Sequence, residues 1–281
     1  MAFETELKLA IAAQDVPALL AHPLLAAEPS KRQRLVNTYF DTPKRTLLAR
    51  RIAVRERRVG RQTLLTVKTA GTVIGGLARR GEWEAPTTPG HFDFAALVDD
   101  TALADALQAL AGTLVPVFTT DFTRRSWQLS YRKAQIEVAL DRGRIHASTR
   151  DGPRSQPLLE LELELKQGPA DALFSLARQL GHSAHLRPVT ASKAERGYTL
   201  FQGRRAKPVK AETLALPSAV DPVEAFRRVA LACLAQLQAN EAGVLHSDDI
   251  EYLHQARVAL RRQRAALRVF APALPRKFVA R

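Results

Sequence analysis

One cysteine stands in the 281 residues, Cys233, so no disulfide can form within the chain, and a reducing cytosol is the simplest setting. It lies among Val229, Ala230, Leu234 and Leu237 at helical spacing, the pattern of a small core residue and not of a reactive thiol. Aromatic residues are only 6%, which leaves little material for base-stacking platforms and makes nucleic acid the weaker class of partner. No uninterrupted apolar run reaches the roughly 20 residues of a membrane helix, and the start lacks a signal-peptide pattern. A soluble chain with no membrane partner is expected. Negative charge is also scarce: 42 Lys plus Arg face 28 Asp plus Glu, a net +14. That excess favours polyanions such as nucleic acid, an anionic membrane or phosphate-rich small molecules. Charge alone does not choose among them.

What is present is a chain long enough for two domains. Period-two stretches predict strands at 3–8, 35–41, 52–58, 63–69, 80–85, 116–129, 133–141, 144–149 and 158–166, with Asp141-Arg142-Gly143 turning a hairpin. The glycines between Gly71 and Gly81 predict a loop. Helices are expected at 17–25, 94–111, 170–180 and 192–201. Residues 204–220 are basic and then proline-containing, and predict a linker between a unit at 1–203 and another at 221–281. The second unit predicts two helices, opened by capping boxes at Asp221/Glu224 and Asp248/Glu251, the second running to about Phe270. Two helices are too little to bury a core alone, so this segment reads as part of a larger helical domain.

The strands share a habit of charge. In an extended strand alternate side chains share a face, so Glu4, Glu6 and Lys8 point one way and Thr5, Leu7 and Leu9 the other. Two carboxylates about 7 Å apart on one face repel unless cations sit between them. Arg55 and Arg57 share a face, Lys68 projects beside Thr66, and Arg80, Glu82 and Glu84 line one side of the next strand. Glu137 and Asp141 share a face across Ala139, and Glu160, Glu162, Glu164 and Lys166 alternate with Leu159, Leu161, Leu163 and Leu165. Two arrangements fit. One is a half-exposed sheet with a salt-bridged surface. The other is a closed barrel with helices packed outside, whose interior holds a polyanion and a divalent metal. Arginine forks and lysine point charges would clamp phosphate oxygens, and carboxylates would bind Mg²⁺ or Mn²⁺.

The same residues resemble the CYTH superfamily, the triphosphate tunnel metalloenzymes. Glu4-x-Glu6-x-Lys8 resembles its ExExK signature. The likeness continues through Tyr39-Phe40-Asp41-Thr42, Val54-Arg55-Glu56-Arg57, Leu65-Thr66-Val67-Lys68, Glu82-Trp83-Glu84, Arg124-x-x-Trp127, Glu137 to Asp141, Glu160 to Lys166 and Ser192-Lys193-x-x-Arg196-Gly197-Tyr198. The resemblance implies an α+β fold, an eight-stranded antiparallel β-barrel forming a tunnel. It implies that Lys8, Arg55, Arg57, Lys68, Arg80, Arg124, Lys193 and Arg196 hold triphosphate, with the choice between Arg124 and Arg125 open. It further implies that Glu4, Glu6, Asp141, Glu162 and Glu164 bind the metals and orient the attacking water, with Glu82, Glu84 and Glu160 as further acidic members. The expected activity is metal-dependent hydrolysis of inorganic triphosphate to pyrophosphate and phosphate. Thiamine triphosphate hydrolysis, ATP cyclisation and catalytically idle polyphosphate binding are the alternatives.

Leu253 to Arg262 resembles the start of a CHAD domain, a helical module often fused to bacterial CYTH domains. At 100° per residue, His254, Arg257, Arg261, Arg264 and Arg268 fall in one stripe beside Leu253, Ala256, Leu260 and Leu267. Like charges at that spacing repel unless an anion binds, and the resemblance implies that His254, Arg257, Arg261 and Arg264 bind polyphosphate. His22, His91, His146, His182 and His185 show no metal-ligand spacing.

Overall fold

The leucine rows demand a cover, and the chain provides it. The computed structural model describes residues 3–149, 151–203 and 206–279, in two compact units, Met1–Arg204 and Arg205–Arg281. The first unit carries strands β1 (Phe3–Ile11), β2 (Ser30–Asp41), β3 (Ala53–Val59), β4 (Gln62–Lys68), β5 (Thr72–Ile74), β6 (Leu77–Thr87), β7 (Val115–Tyr131), β8 (Ala134–Thr149), β9 (Gly152–Gln167) and β10 (Leu186–Pro188). Its helices are α1 (Val16–Leu20), α2 (Pro23–Ala26), α3 (Thr46–Ala49), α4 (Phe94–Leu97), α5 (Thr101–Gln108), α6 (Asp171–Leu180) and α7 (Lys193–Gln202). Strands run antiparallel in the order β1-β9-β8-β7-β2-β3-β4-β6, and β6 pairs back onto β1, closing a ring of eight. β5 and β10 are short additions to β6 and β1.

Parity then sorts the side chains. Leu7, Leu9, Leu161 and Leu163 face outward with Trp127, Ile136 and Val138, under Leu173, Leu176 and Leu180 of α6 and Leu19 and Leu25 of the first two helices. Each such leucine contributes about 1.5–3 kcal/mol by leaving water. On the other flank Val54, Leu65, Val67 and Trp83 lie under Leu47, Phe94 and Leu107. Helix α7 departs from the expectation that all helices pack outside. It plugs one end of the barrel, its Tyr198 edge-on to Phe118, in a cluster with Leu35, Phe122, Ile145 and Leu158. Gly197 permits this approach, because a Cβ there would lie 2.0 Å from the Phe118 ring.

Several local expectations are corrected. Asp141-Arg142-Gly143 is no hairpin: from Ala134 on, the two expected strands are one continuous strand, β8. Gly143 serves close packing instead, since a Cβ there would sit 2.1 Å from the Asp121 carbonyl. The turn joining β7 to β8 is made by Arg132 and Lys133, both at positive φ. The glycine-rich 71–81 stretch contains β5 and the start of β6, turning at Gly75 and Gly76. The 94–111 helix breaks after Leu97 and restarts at Thr101, capped by the Asp100 carboxylate. The 17–25 helix is two short pieces, the second capped by the His22 ring, whose Nδ1 accepts from Leu24 N–H.

The second unit is a hairpin of α8 (Pro222–His246) and α9 (Ile250–Phe270), followed by α10 (Arg276–Val279). Asp221 caps α8 by accepting from Val223 and Glu224, while the Glu224 carboxylate binds Arg227 and Arg228 and not the cap backbone. Asp249, not Asp248, caps α9. The seam is partly polar, Gln236 donating to Gln255, and buried Asn240 of α8 accepts from the N–H of Val209 in the segment before the hairpin. Of the expected apolar stripe on α9 only Ala256 is buried; Leu253 is 51% and Leu260 50% exposed. Among the described residues no helix is long and apolar enough to cross a membrane.

Candidate functional site

The second face of every ring strand points into the barrel, and there the charges meet around a cavity of about 520 Å³. Following the ring, β9 and β8 present Glu160, Glu162, Glu164, Glu137 and Asp141, while β3 and β4, four places round, present Arg55, Arg57 and Lys68. An acidic wall therefore faces a basic one. β1 and β6 between them are mixed, with Glu4, Glu6, Lys8, Arg80, Glu82 and Glu84. Arg124 of β7 faces inward and Arg125 outward, where its guanidinium lies 5.0 Å from the Trp127 ring. Both Glu82 and Glu84 face the cavity. The closed barrel with its charges inside is thus the arrangement this sequence adopts.

Opposite charges neutralise one another within and across strands. Lys8 bonds Glu6 at 2.6 Å; Arg80 reaches Glu4 at 3.1 Å and Glu6 at 2.6 Å; Lys68 reaches Glu4 at 2.8 Å and Glu82 at 3.0 Å. Arg124 grips Asp141 with two bonds of 2.7 Å and Glu162 with one of 2.5 Å. Lys193, delivered by the first turn of α7, bonds Glu160 and lies 2.8 Å from both Glu162 and Asp141. Arg196, one turn on, reaches Glu160 at 3.1 Å. Carboxylate oxygens of Asp141, Glu160 and Glu162 lie within 4.8 Å of one another.

Two regions are less well matched. Arg55 is buried, its Nη2 3.7 Å from Glu82 and 3.8 Å from Glu84, and its Nε and Nη2 have no hydrogen-bond partner among the described residues. Beside it, burial and the cations Arg55 and Arg124 push the Arg57 guanidinium pKa down despite Glu84. At the acidic wall, burial lifts the Glu164 carboxyl above the ordinary range, and Glu4 and Glu137 lift it further against the pull of Lys166. Burial likewise lifts Glu160, whereas Lys193 and Arg124 overcome burial at Glu162 and hold it well below the usual range.

Polar residues that strand parity alone did not single out hold this machinery in place. Asn37 accepts from Arg57 Nε at 3.0 Å and donates to Thr120; Thr66 donates to Glu84 at 2.7 Å. Asp41 accepts from Leu47 and Leu48 N–H and from Tyr198 O–H, tying α3 and the α7 plug to the end of β2. Their signal in the sequence was a polar residue at an inward position among apolar neighbours.

The CYTH domain family matches residues 2–198, most of the chain. The chain belongs to the CYTH family. An inorganic triphosphatase from Haemophilus influenzae is 35% identical to it over 204 residues, 70% of this chain and 54% of that protein. The chain thus spans about half the length of that curated relative. Among solved structures, HpAC1 from Hippeastrum, a putative adenylyl cyclase described as having a dominant triphosphatase activity, is 16% identical with a TM-score of 0.53, covering 72% of this chain and 97% of its own. That match supports the CYTH fold. The CHAD domain family matches residues 228–281. There His254, Arg257, Arg261, Arg264 and Arg268 are all exposed on α9, a separate stripe from the tunnel residues.

Proposed function

We propose that the CYTH unit hydrolyses inorganic triphosphate to pyrophosphate and phosphate within the tunnel, assisted by Mg²⁺ or Mn²⁺. The observation that carries this is Arg55: a buried guanidinium with donors left over, next to an Arg57 whose charge its cationic neighbours disfavour. Buried donors without partners are costly, and an oxyanion between these arginines relieves both conditions. Arg55, Arg57 and Arg124 supply forks, and Lys8, Lys68 and Lys193 supply point charges, for phosphoryl oxygens. Arg80 and Arg196 reach the same interior through the carboxylates they bind.

The donor set fits a hard divalent cation, because the anionic groups lining the cavity are carboxylates and Glu164 is repelled by Glu4 and Glu137. Glu4, Glu6 and Glu164 would hold it, with Glu82, Glu84, Asp141, Glu160 and Glu162 completing the acidic surround. When bound, the cation supplies charge neutralisation and polarisation of the phosphoryl group. Glu164, one of the residues that would hold the cation, would also help orient the attacking water. The cationic wall fixes the chain in line for attack. The curated relative's description as an inorganic triphosphatase agrees with this reading. For the α9 stripe, we propose polyphosphate binding by His254, Arg257, Arg261 and Arg264.

The test is a panel of triphosphate, ATP, thiamine triphosphate and long polyphosphate with Mg²⁺ or Mn²⁺, following phosphate release. Triphosphate should turn over fastest, and Glu4→Ala with Glu6→Ala should abolish release. Equal turnover by the double variant overturns the assignment.

A further inference from the structure

The tunnel does not account for the chain's charge. Its cations, Lys8, Arg55, Arg57, Lys68, Arg80, Arg124, Lys166, Lys193 and Arg196, are matched one for one by Glu4, Glu6, Glu82, Glu84, Glu137, Asp141, Glu160, Glu162 and Glu164. The net +14 must therefore lie outside it. Part of the excess is concentrated on the outer wall of β2, β3, β7 and β8, between the two helix-covered flanks. In register across these strands, Arg58 stands two places from Asp121 and three from Arg144, Arg34 two places from Arg142, and Arg32 directly opposite Arg125. Arg32, Arg34, Arg58, Arg142, Arg144 and His146 are all exposed.

Acids do not balance this wall. On its outer face, among the described residues, Asp121 is bonded to Arg34 at 2.5 Å and Glu56 to the Gly90 N–H at 2.6 Å. Hydrogen bonding to Arg34 pulls the Asp121 carboxyl down, burial opposing, and His146 and Arg58 pull it further. Arg144 spends one donor on Ser155. Arginines directly opposite one another on a sheet repel, and strands about 4.8 Å apart leave them little room to separate.

We infer that this wall is a docking surface for a linear inorganic polyphosphate chain. The barrel exterior is convex, so a stiff duplex lying on it touches few phosphates, whereas a flexible chain drapes along several arginines. The rings here are not available for stacking: Trp127 is buried beneath Arg125, which removes the contact that single-stranded nucleic acid uses. Guanidinium forks favour phosphate oxygens bidentately. Neither the tunnel chemistry nor the α9 stripe is needed for this inference.

The experiment measures binding of long-chain polyphosphate to the full chain across a salt series. The variants are Arg32→Ser with Arg58→Ser and Arg142→Ser, and, separately, Arg257→Ser with Arg261→Ser. Each phosphate contact contributes about 0.7 to the slope of log affinity against log salt for a flexible chain. The outer-wall triple variant should flatten the slope by roughly 2 and bind at least about tenfold more weakly at low salt, with triphosphate turnover unchanged. The α9 variant should retain the outer-wall share. Affinity and slope unchanged in the triple variant overturn the inference. So does RNA, duplex DNA or polyglutamate binding more tightly than polyphosphate in a manner the same variant weakens, which would make the occupant another polyanion. Loss of triphosphatase activity in the unaltered chain bears on the tunnel reading and leaves this readout standing.

Discussion

Replacing Arg55 separates a ligand-binding arginine from a structural one. Its nearest acids stand 3.7 and 3.8 Å away, Tyr39 O–H is 3.4 Å from Nη1, and two donors are unused. An unsatisfied buried donor costs about 1–3 kcal/mol. Arg55→Met removes that penalty and the long-range attraction to Glu82 and Glu84, which keep Lys68 at 3.0 Å and Arg57 at 3.4 Å. Stability should stay level or rise by up to about 2 kcal/mol. Activity should collapse. Charge-assisted bonds contribute about 1.5–3 kcal/mol each, so losing two lowers kcat/KM by roughly 10²- to 10⁴-fold. Arg55→Lys keeps the charge without the fork and should fall between. Urea unfolding and phosphate release on the same preparations read both quantities. If Arg55→Met instead loses about 3–5 kcal/mol of stability, as when a buried ion pair is broken, Arg55 is a structural partner and the argument for an anion site fails.

Lys193→Met leaves Asp141, Glu160 and Glu162 facing one another with Arg124, Arg196 and Lys8 as the remaining nearby cations, and should lower unfolding stability by about 3–5 kcal/mol; an unchanged urea midpoint contradicts the role given to α7. Glu164 has a raised folded pKa, so its contribution to stability is present below the unfolded carboxylate pKa and is lost as pH rises through the folded value. Glu164→Gln should therefore be more stable than the parent chain at pH 7, with little difference at pH 4, while hydrolysis drops. Equal stability curves from pH 4 to 7 would count against the repulsion at that wall. Chelation with EDTA should stop phosphate release, and added Mn²⁺ should restore it.

Much of this site could be read from strand parity. Leu159, Leu161, Leu163 and Leu165 alternating with four charges call for a cover over one face, but spacing fits a half-exposed sheet as well as a closed ring, and closure is decided by β6 pairing back onto β1. Parity also put Glu4 with Glu6, and Arg55 with Arg57, on one face of their own strands. It could not say which charge meets which, because that depends on β1 pairing with β6 along one edge and β9 along the other, contacts roughly 75 and 155 residues away in sequence. Gly143 misled for a physical reason: glycine marks both turns and close approach, and Asp-Arg-Gly carries the composition of the former. Arg132 and Lys133 hid a real turn because residues with a Cβ seldom adopt positive φ. The plug position of α7 was hidden too, since Lys193 inside the barrel is selected by three carboxylates on other elements.

The most direct measurement is a crystal structure of the chain soaked with triphosphate and Mn²⁺. The account predicts a triphosphate between the β3–β4 and β8–β9 walls, with Arg55 and Arg57 within hydrogen-bond distance of its oxygens and Mn²⁺ anomalous signal beside Glu4, Glu6 and Glu164. Triphosphate bound only outside the barrel, with Arg55 still lacking a partner, would contradict it.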